Sequence, residues 1–325
     1  MNKERVLVTG GLGFIGSHIV DLLCVKDYEV GVVDIKPYSE YDFKNPLAYY
    51  FRLDICDYEV VRRLFSVFEP SYVFHCAALA RIQPSFENPE EYFRSNALGT
   101  YNILKISRKY NVKRVVYSAS SSAYGDVQQM PLCEDMALTP TALHPYGSTK
   151  RMGEMLMSDM GRMTGGPETV SLRYFNVYGP RQPTEGDYAT VIGIFLRQMK
   201  NREPLTIVPD GYQRRDFTHV SDVARANLLA MTSYKVGDAE IINIGTGISY
   251  SVWDVARLIL LKIPLDSDET WLLNSGLCRI FPPRKGEVRE TLADISKAKK
   301  LLGWTPSISL KKGIAMTRKY FFAKK

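Results

Sequence analysis

The 325 residues fit one large domain or two unequal ones, and 45% hydrophobic with 24% charged residues is the composition of a chain that buries a sizeable core, not of a disordered one. The formal charge of +7 sits largely at Lys297, Lys299, Lys300, Lys311, Lys312, Arg318, Lys319, Lys324 and Lys325, which alternate with apolar residues at helical spacing and read as a solvated helix face, with no nucleic-acid surface implied. No apolar run reaches the roughly eighteen residues of a membrane span, and the five cysteines (Cys24, Cys56, Cys76, Cys133, Cys278) are scattered, odd in number and free of any C-x-x-C, so reduced thiols in a cytoplasmic protein are expected, with no metal site.

The chain begins with a β-branched strand, Arg5–Thr9, that runs into Gly10-Gly-Leu-Gly13-Phe14-Ile15-Gly16 and then a helix, Phe14–Lys26. In such a turn one glycine allows tight bending, one lets the backbone approach a pyrophosphate, and one lets helix and strand pack closely. The helix N-terminus offers free N–H groups and a partial positive charge to the phosphates. The turn interrupts the apolar stretch and Asp21 follows it, so residues 1–25 do not read as a signal peptide. The next strand, Glu29–Asp34, ends on an acid about twenty residues past the glycines, where a carboxylate accepts from the adenosine ribose diol. Asp34 would repel the extra phosphate of NADP, so NAD is the expected cofactor despite Lys36 nearby.

Strands follow at Tyr49–Leu53, Tyr72–His75, Arg114–Ser118 and Thr169–Tyr174, separated by helices Tyr58–Phe68, Pro89–Lys109 and Tyr146–Met163. Apolar strands alternating with helices give an α/β fold, a doubly wound parallel sheet of the Rossmann type. Ligands sit at the carboxyl ends of such strands, where Asp34, Asp54, Ala77, Ser120 and Asn176 fall. After Pro180 the pattern shortens: Val191–Asn201, Leu205–Val208, Ser221–Ser233, Ile241–Ile244, Val252–Ile263, Ile295–Leu302 and Leu310–Phe322. We assign 1–180 to the nucleotide-binding domain, with a return around 215–233, and 181–325 to a smaller mixed α/β substrate domain.

Tyr146-Gly-Ser-Thr-Lys150 places two side chains on one helix face. A free tyrosine, with pKa near 10, is a poor base at neutral pH. A neighbouring ammonium and a positive nicotinamide ring would favour the phenolate, which can then take a proton from a sugar hydroxyl as hydride leaves the same carbon. Upstream, Ser118-Ala-Ser120-Ser121-Ser122 sets hydroxyls at a strand's carboxyl end. A serine there can bond the reacting oxygen and share its proton with the tyrosine.

With glycine turn, serine run and Tyr-x-x-x-Lys in this order, the chain resembles the extended short-chain dehydrogenase/reductases of the nucleotide-sugar epimerase and dehydratase group. The likeness spans essentially the whole length. It includes His75-Cys-Ala-Ala78, Asn96-Ala-Leu-Gly-Thr-Tyr-Asn102, Pro145-Tyr-Gly-Ser-Thr-Lys150, Leu172-Arg-Tyr174-Phe-Asn176-Val-Tyr-Gly-Pro-Arg181, Arg215-Asp-Phe-Thr-His-Val-Ser-Asp222, Asn243-Ile-Gly-Thr-Gly247 and Arg284-Lys-Gly-Glu287. The resemblance implies that Asp54 and Ile55 flank the adenine, that Ala77 and Ala78 lie on the nicotinamide side, and that Asn96 and Tyr174 belong to the cofactor site. It makes Ser120 the catalytic hydroxyl, Tyr146 the base and Lys150 the ribose-binding lysine. Asn176, Arg215, Arg284 and Glu287 fall to the substrate diphosphate and its surroundings; the fork of an arginine suits phosphate. Members of the family pair the helices that follow their fourth and fifth strands, here Pro89–Lys109 and Tyr146–Met163, into a homodimer, and the methionines of Tyr146–Met163 would supply a second apolar face for it.

Dehydratases of this family carry an acid pair directly after the catalytic hydroxyl. Here Ser121 and Ser122 stand there, and neither is a carboxylic acid. The wording is most similar to UDP-N-acetylglucosamine 4-epimerases, in which a large tyrosine at the position of Thr291 would exclude N-acetyl groups. A threonine leaves room for one, so the expectation is a UDP-GlcNAc/UDP-GalNAc 4-epimerase that also takes UDP-Glc/UDP-Gal. UDP-glucuronate epimerisation or decarboxylation, dTDP- or GDP-sugar epimerisation, and a catalytically silent NAD-binding regulator are the alternatives.

Overall fold

A computed structural model describes residues 3–41, 43–186, 189–260, 268–282 and 288–323. Its centre is a seven-stranded sheet. Six strands come from the first half: β1 (Arg5–Thr9), β2 (Glu29–Asp34), β3 (Tyr49–Arg52), β4 (Tyr72–His75), β5 (Arg114–Ser120) and β6 (Glu168–Tyr174). The seventh, Asp238–Ile244, comes from beyond the shorter segments and pairs with β6, Ile244 opposite Tyr174. The order is seventh strand–β6–β5–β4–β1–β2–β3, every pair parallel. The sequence pattern groups the strand at Ile241–Ile244 with the smaller region's segments; its apolar face instead closes the edge of the large sheet.

Alternation along the strands explains why both sheet faces are covered. Val6, Val8, Val30, Val32, Phe74 and Val116 point to one side and pack with Ile19, Val20 and Leu23 of helix Phe14–Val25 and Val223 and Ala230 of helix Val220–Thr232. Leu7, Val33, Val73, Val115 and Tyr117 point to the other and pack with Val61, Leu64 and Phe65 of helix Tyr58–Phe68, Ile103 and Ile106 of helix Gly99–Lys109, and Met157. Side chains on both faces are buried, as a parallel sheet requires. A third apolar cluster, around Phe195, Ile207, Trp253, Ile259 and Ile314, holds the remainder of the second half together.

Order reverses between β1 and β4, so the crevice above their carboxyl ends is the expected ligand position. Two adjustments occur beside it. The strand β5 runs two residues further than its sequence pattern suggests, to Ser120. The long helical run from Pro89 is α-helical to Tyr92 and from Gly99 to Lys109, with a π-helical segment at Phe93–Leu98 between. π segments inside helices are frequent at functional sites, and this one turns Asn96 inward.

Candidate active site

Gly10 adopts φ +68°, and a Cβ there would meet the Ala77 backbone nitrogen at 2.6 Å. A Cβ on Gly16 would collide with the Gly10 carbonyl. The turn therefore folds with β4's end pressed against it, and only glycine fits. Helix Phe14–Val25 opens on Gly13, which is exposed with Phe14 and Ile15 half-buried beside it. Asp34 closes β2 with its Oδ2 accepting from Leu12 N and Oδ1 from Lys36 N, each at 3.2 Å. Each oxygen keeps a lone pair for a further donor. Burial raises this carboxyl's pKa above its ordinary value, against those backbone donors. At the end of β3, Asp54 accepts from Cys56 N at 2.9 Å and pairs with Arg94 at 2.8 Å. Ile55 is buried, its carbonyl and that of Cys56 bound by Asn102 Nδ2 at 3.1 and 3.2 Å. A glycine cradle, a helix N-terminus aimed at it and a strand-end carboxylate fit the diphosphate and ribose of NAD.

After β4 the chain passes Ala77, whose N–H donates to Thr9 Oγ1 at 3.3 Å, and Ala78. Thr9 in turn contacts His75 Nδ1 at 2.8 Å, and His75 Nε2 lies 2.9 Å from Thr100 Oγ1. Burial pushes the His75 imidazole down to about 3, so it is a neutral spacer with both nitrogens satisfied. Asn96 Oδ1 accepts from Leu79 N at 2.8 Å and its Nδ2 donates to Leu79 O and Thr149 Oγ1, at 2.9 and 3.0 Å. Asn96 thus ties the loop after β4 to the Tyr146 helix.

That helix spans Pro145–Gly161. His144 caps it through Nδ1, accepting from Gly147 N at 3.0 Å, and stacks on Tyr146 with centroids 6.0 Å apart and planes within 8°. Tyr92 meets Tyr146 edge-on at 6.3 Å. The helical spacing predicts that Lys150 lowers the Tyr146 pKa. In the structure burial raises it above its ordinary value, and the opposing influences are the Ser120 hydroxyl and the charge of Arg81. Lys150 acts elsewhere: its Nζ donates to Ser118 O at 2.7 Å and lies 5.0 Å from the Tyr117 ring centroid. Fully buried, it is pushed down to about 8, with Cys76 and Glu154 opposing the shift. Ser120 Oγ, itself buried, accepts from Ser122 N at 3.1 Å, and the short helix Ser121–Tyr124 leaves Ser121 and Ser122 half-buried. Tyr174, expected near the cofactor, spends its hydroxyl inside: 3.1 Å from Ser118 Oγ and bonded to Asn227.

The second half brings three expected residues together. Strand Glu290–Thr291 pairs with Arg214–Asp216 so that Thr291 lies opposite Arg215. Asn176, at φ +20°, donates from Nδ2 to Thr291 Oγ1 at 3.3 Å. Arg215 Nη1 donates to the carbonyls of Arg214 and Arg289. Arg284 and Glu287 lie outside the described residues. The acids of the Arg215–Asp222 motif turn out to be internal clamps. Asp216 accepts from the N–H groups of Thr246, Gly247 and Ala293; Asp222 accepts from Ser307 and Ile308.

Sequence reasoning missed Arg81, Tyr92 and His144. Only His144 carried a signal, through Pro145, which marks the start of the helix that it caps. It also missed Asn102, though its motif was visible. Among the described residues no group of His, Cys, Asp and Glu is placed to hold a metal ion, no helix is long and apolar enough to cross a membrane, and all five cysteines are free.

A glycine turn at a helix N-terminus, a strand-end carboxylate and the side chains of Ser120, Tyr146 and Lys150 thus lie along the carboxyl ends of the sheet. Residues 6–245 match the NAD dependent epimerase/dehydratase family. The chain is 40% identical over 95% of its length to a putative UDP-glucose 4-epimerase of Methanocaldococcus jannaschii, covering 95% of that protein. Among solved structures it is similar to UDP-glucose 4-epimerase of Thermotoga maritima with UDP-glucose (39% identity, TM-score 0.89, 98% and 99% of the two chains). It is also similar to UDP-N-acetylglucosamine 4-epimerase of Methanobrevibacter ruminantium M1 in complex with UDP-N-acetylmuramic acid (30%, 0.87, 100% of both chains). The chain belongs to the NAD-dependent epimerase/dehydratase family; it is an isomerase, and its cofactor is NAD.

Proposed function

We propose that the enzyme interconverts UDP-GlcNAc and UDP-GalNAc, and UDP-Glc and UDP-Gal, through a 4-keto intermediate. NAD would supply the acceptor for the C4 hydride and the source from which it is returned to the opposite face. Gly10, Gly13, Phe14, Ile15, Gly16, Asp34, Asp54, Ile55, Ala77, Ala78, Asn96 and Lys150 hold it in this reading, and Tyr174 serves from behind through Ser118. Tyr146 takes the C4 hydroxyl proton and later gives it back. Ser120 bonds the reacting oxygen, with Ser121 and Ser122 beside it. Asn176, Arg215, Arg284 and Glu287 surround the diphosphate.

The observation that carries the N-acetyl reading is Thr291: a small side chain in contact with Asn176 and opposite Arg215. A threonine there leaves space that a phenol ring would fill. Thr291→Tyr should abolish turnover of UDP-GlcNAc and spare UDP-Glc, a preference of tenfold to hundredfold from about 1–3 kcal/mol of overpacking. Equal loss on both sugars, or no change on either, contradicts the assignment. The reading extends to a cytoplasmic homodimer. Phe93, Leu98 and Tyr101 on one helix and Met152 and Met155 on the next are exposed large apolar side chains on packed neighbours. A monomer mass by light scattering at micromolar concentration contradicts the dimer.

A further inference from the structure

We propose that His144 is a positioning residue whose ring holds the Tyr146 phenol in its reactive orientation while its Nδ1 caps the helix that carries it, a role that rests on Tyr146 being the base.

The residue type is unusual for its place. His144 is the N-cap of helix Pro145–Gly161, with extended backbone at φ −158° and ψ 156°. Asn, Asp, Ser and Thr are preferred there, because a short side-chain oxygen reaches the N–H two or three residues on. Here an imidazole does the capping. Nδ1 accepts from Gly147 N at 3.0 Å, and the His144 carbonyl accepts from Ser148 N at 3.1 Å. Burial pushes the imidazole down to about 4, so it is neutral, and with Nδ1 accepting, its proton lies on Nε2. A cap alone calls for no ring.

The ring has a second contact. Its plane lies within 8° of the Tyr146 plane, with the centroids 6.0 Å apart, an offset parallel stack. Phe86 of the short helix Ile82–Glu87 meets His144 edge-on at 6.3 Å, and Tyr92 meets Tyr146 edge-on at the same distance. Tyr92 is itself anchored, its Oη donating to the Ala80 carbonyl at 2.7 Å. The four rings run in the order Phe86, His144, Tyr146, Tyr92, and both ends of the row belong to the segment that follows β4. The base is thus bracketed by His144 and Tyr92.

The start of the helix is also fixed against the serine loop. A Cβ on Gly147 would meet the Ala142 carbonyl oxygen at 2.8 Å and that of Ser122 at 2.9 Å. The first turn therefore lies directly on the turn Ser121–Tyr124 that follows Ser120. Tyr146 and Ser120 come from two elements that meet at this contact, so a phenol free to pivot loses its alignment with the serine. A shorter capping side chain would still hold the helix but would leave the phenol without its stacked neighbour. Misplacing a reacting group by about 1 Å costs on the order of a hundredfold in rate.

The test is steady-state kinetics of the NAD-loaded enzyme and of H144N and H144F, with UDP-GlcNAc or UDP-Glc, whichever the parent turns over faster, together with the NAD content and Tm of each. Asparagine keeps a capping oxygen and removes the ring; phenylalanine keeps a ring and removes the cap. H144N should lose kcat by about ten- to a hundredfold, with KM within about twofold of the parent and NAD content unchanged. H144F should recover most of that kcat although it melts below the parent for want of the cap. A purely structural cap gives the reverse order, H144N close to the parent in rate and H144F impaired, and that result overturns the inference. So does a folded H144F as slow as H144N, or a fall in H144N that comes with loss of NAD. Where H144F has no folded state, H144N decides alone, and a kcat within about threefold of the parent overturns the role of the ring. Retained turnover in Tyr146→Phe overturns the underlying assignment of the base; an inactive Tyr146→Phe with H144N at parental kcat overturns only the role of His144.

Discussion

Glu154→Gln removes one charge from the deepest polar contact next to the site. Glu154 lies one turn beyond Lys150 and takes both arms of Arg173, Oε1 from Nε at 2.8 Å and Oε2 from Nη2 at 2.7 Å. The two side chains are only 5% and 3% exposed. The Arg173 guanidinium lies 4.4 Å from the Tyr124 ring centroid, and its charge reaches that of Arg151. Without the carboxylate, a buried guanidinium faces a second cation with nothing to offset it. Removing one partner of such a pair costs about 3–5 kcal/mol. For 325 residues, at an unfolding entropy of about 2.1 cal/mol/K per residue, this is a fall in Tm of roughly 4–7 °C. A functional effect accompanies it. Glu154 is one of the two groups that oppose the downward shift of Lys150, so its loss lets Lys150 shed its proton below pH 8. The alkaline limb of the rate profile should move down. Calorimetry on Glu154→Gln, Arg173→Met and the double variant Glu154→Met/Arg173→Met tests the reasoning. The double variant should recover most of the stability that either single one loses, because no charge is left unpaired. A single variant melting within about 1 °C of the parent, or a double variant no better than the singles, refutes it.

Tyr146→Phe should abolish turnover while NAD stays bound through gel filtration, because it removes the base and little volume; more than a tenth of parental rate rules Tyr146 out as the base. Ser120→Ala should cost about a hundredfold in kcat, the typical worth of one hydrogen-bonding group at the reacting oxygen, measured with the same substrate. Stability should fall on acidification. His75 is buried and neutral, its folded pKa about 3 against an ordinary 6.5, and His144 and His219 are each pushed down to about 4. The unfolded chain therefore binds more protons between about pH 6.5 and 3, and folding loses free energy as pH drops through that window. Tm followed from pH 7.5 to 5 should decline, and His75→Asn should flatten the decline.

Local chemistry makes much of this site legible in the sequence. The glycine turn sits on one strand–helix junction, and Tyr146 and Lys150 lie one turn apart on one helix, so their spacing exposes them. What stays hidden depends on distance across the chain. Asp216 and Asp222 read as motif acids, yet their partners at Thr246, Ala293 and Ser307 are recruited from far along the sequence. The seventh strand joins the large sheet only because β6 leaves an apolar edge for it, which no local pattern records. Arg81 follows an alanine-rich segment with no spacing to mark it; its positive backbone angle exists only in three dimensions. The Lys150–Tyr146 relation is half legible. Helical geometry puts them on one face, but the Ser118 carbonyl that captures the ammonium belongs to another element.

The most direct test incubates the purified protein, with no cofactor added, with UDP-GlcNAc and follows the sugar by NMR. An equilibrium mixture containing UDP-GalNAc, formed by protein that carries NAD and leaves no net NADH behind, is the expected result. Protein empty of nicotinamide that prefers NADP in titration, or NAD-loaded protein that leaves UDP-GlcNAc untouched, contradicts the proposed activity.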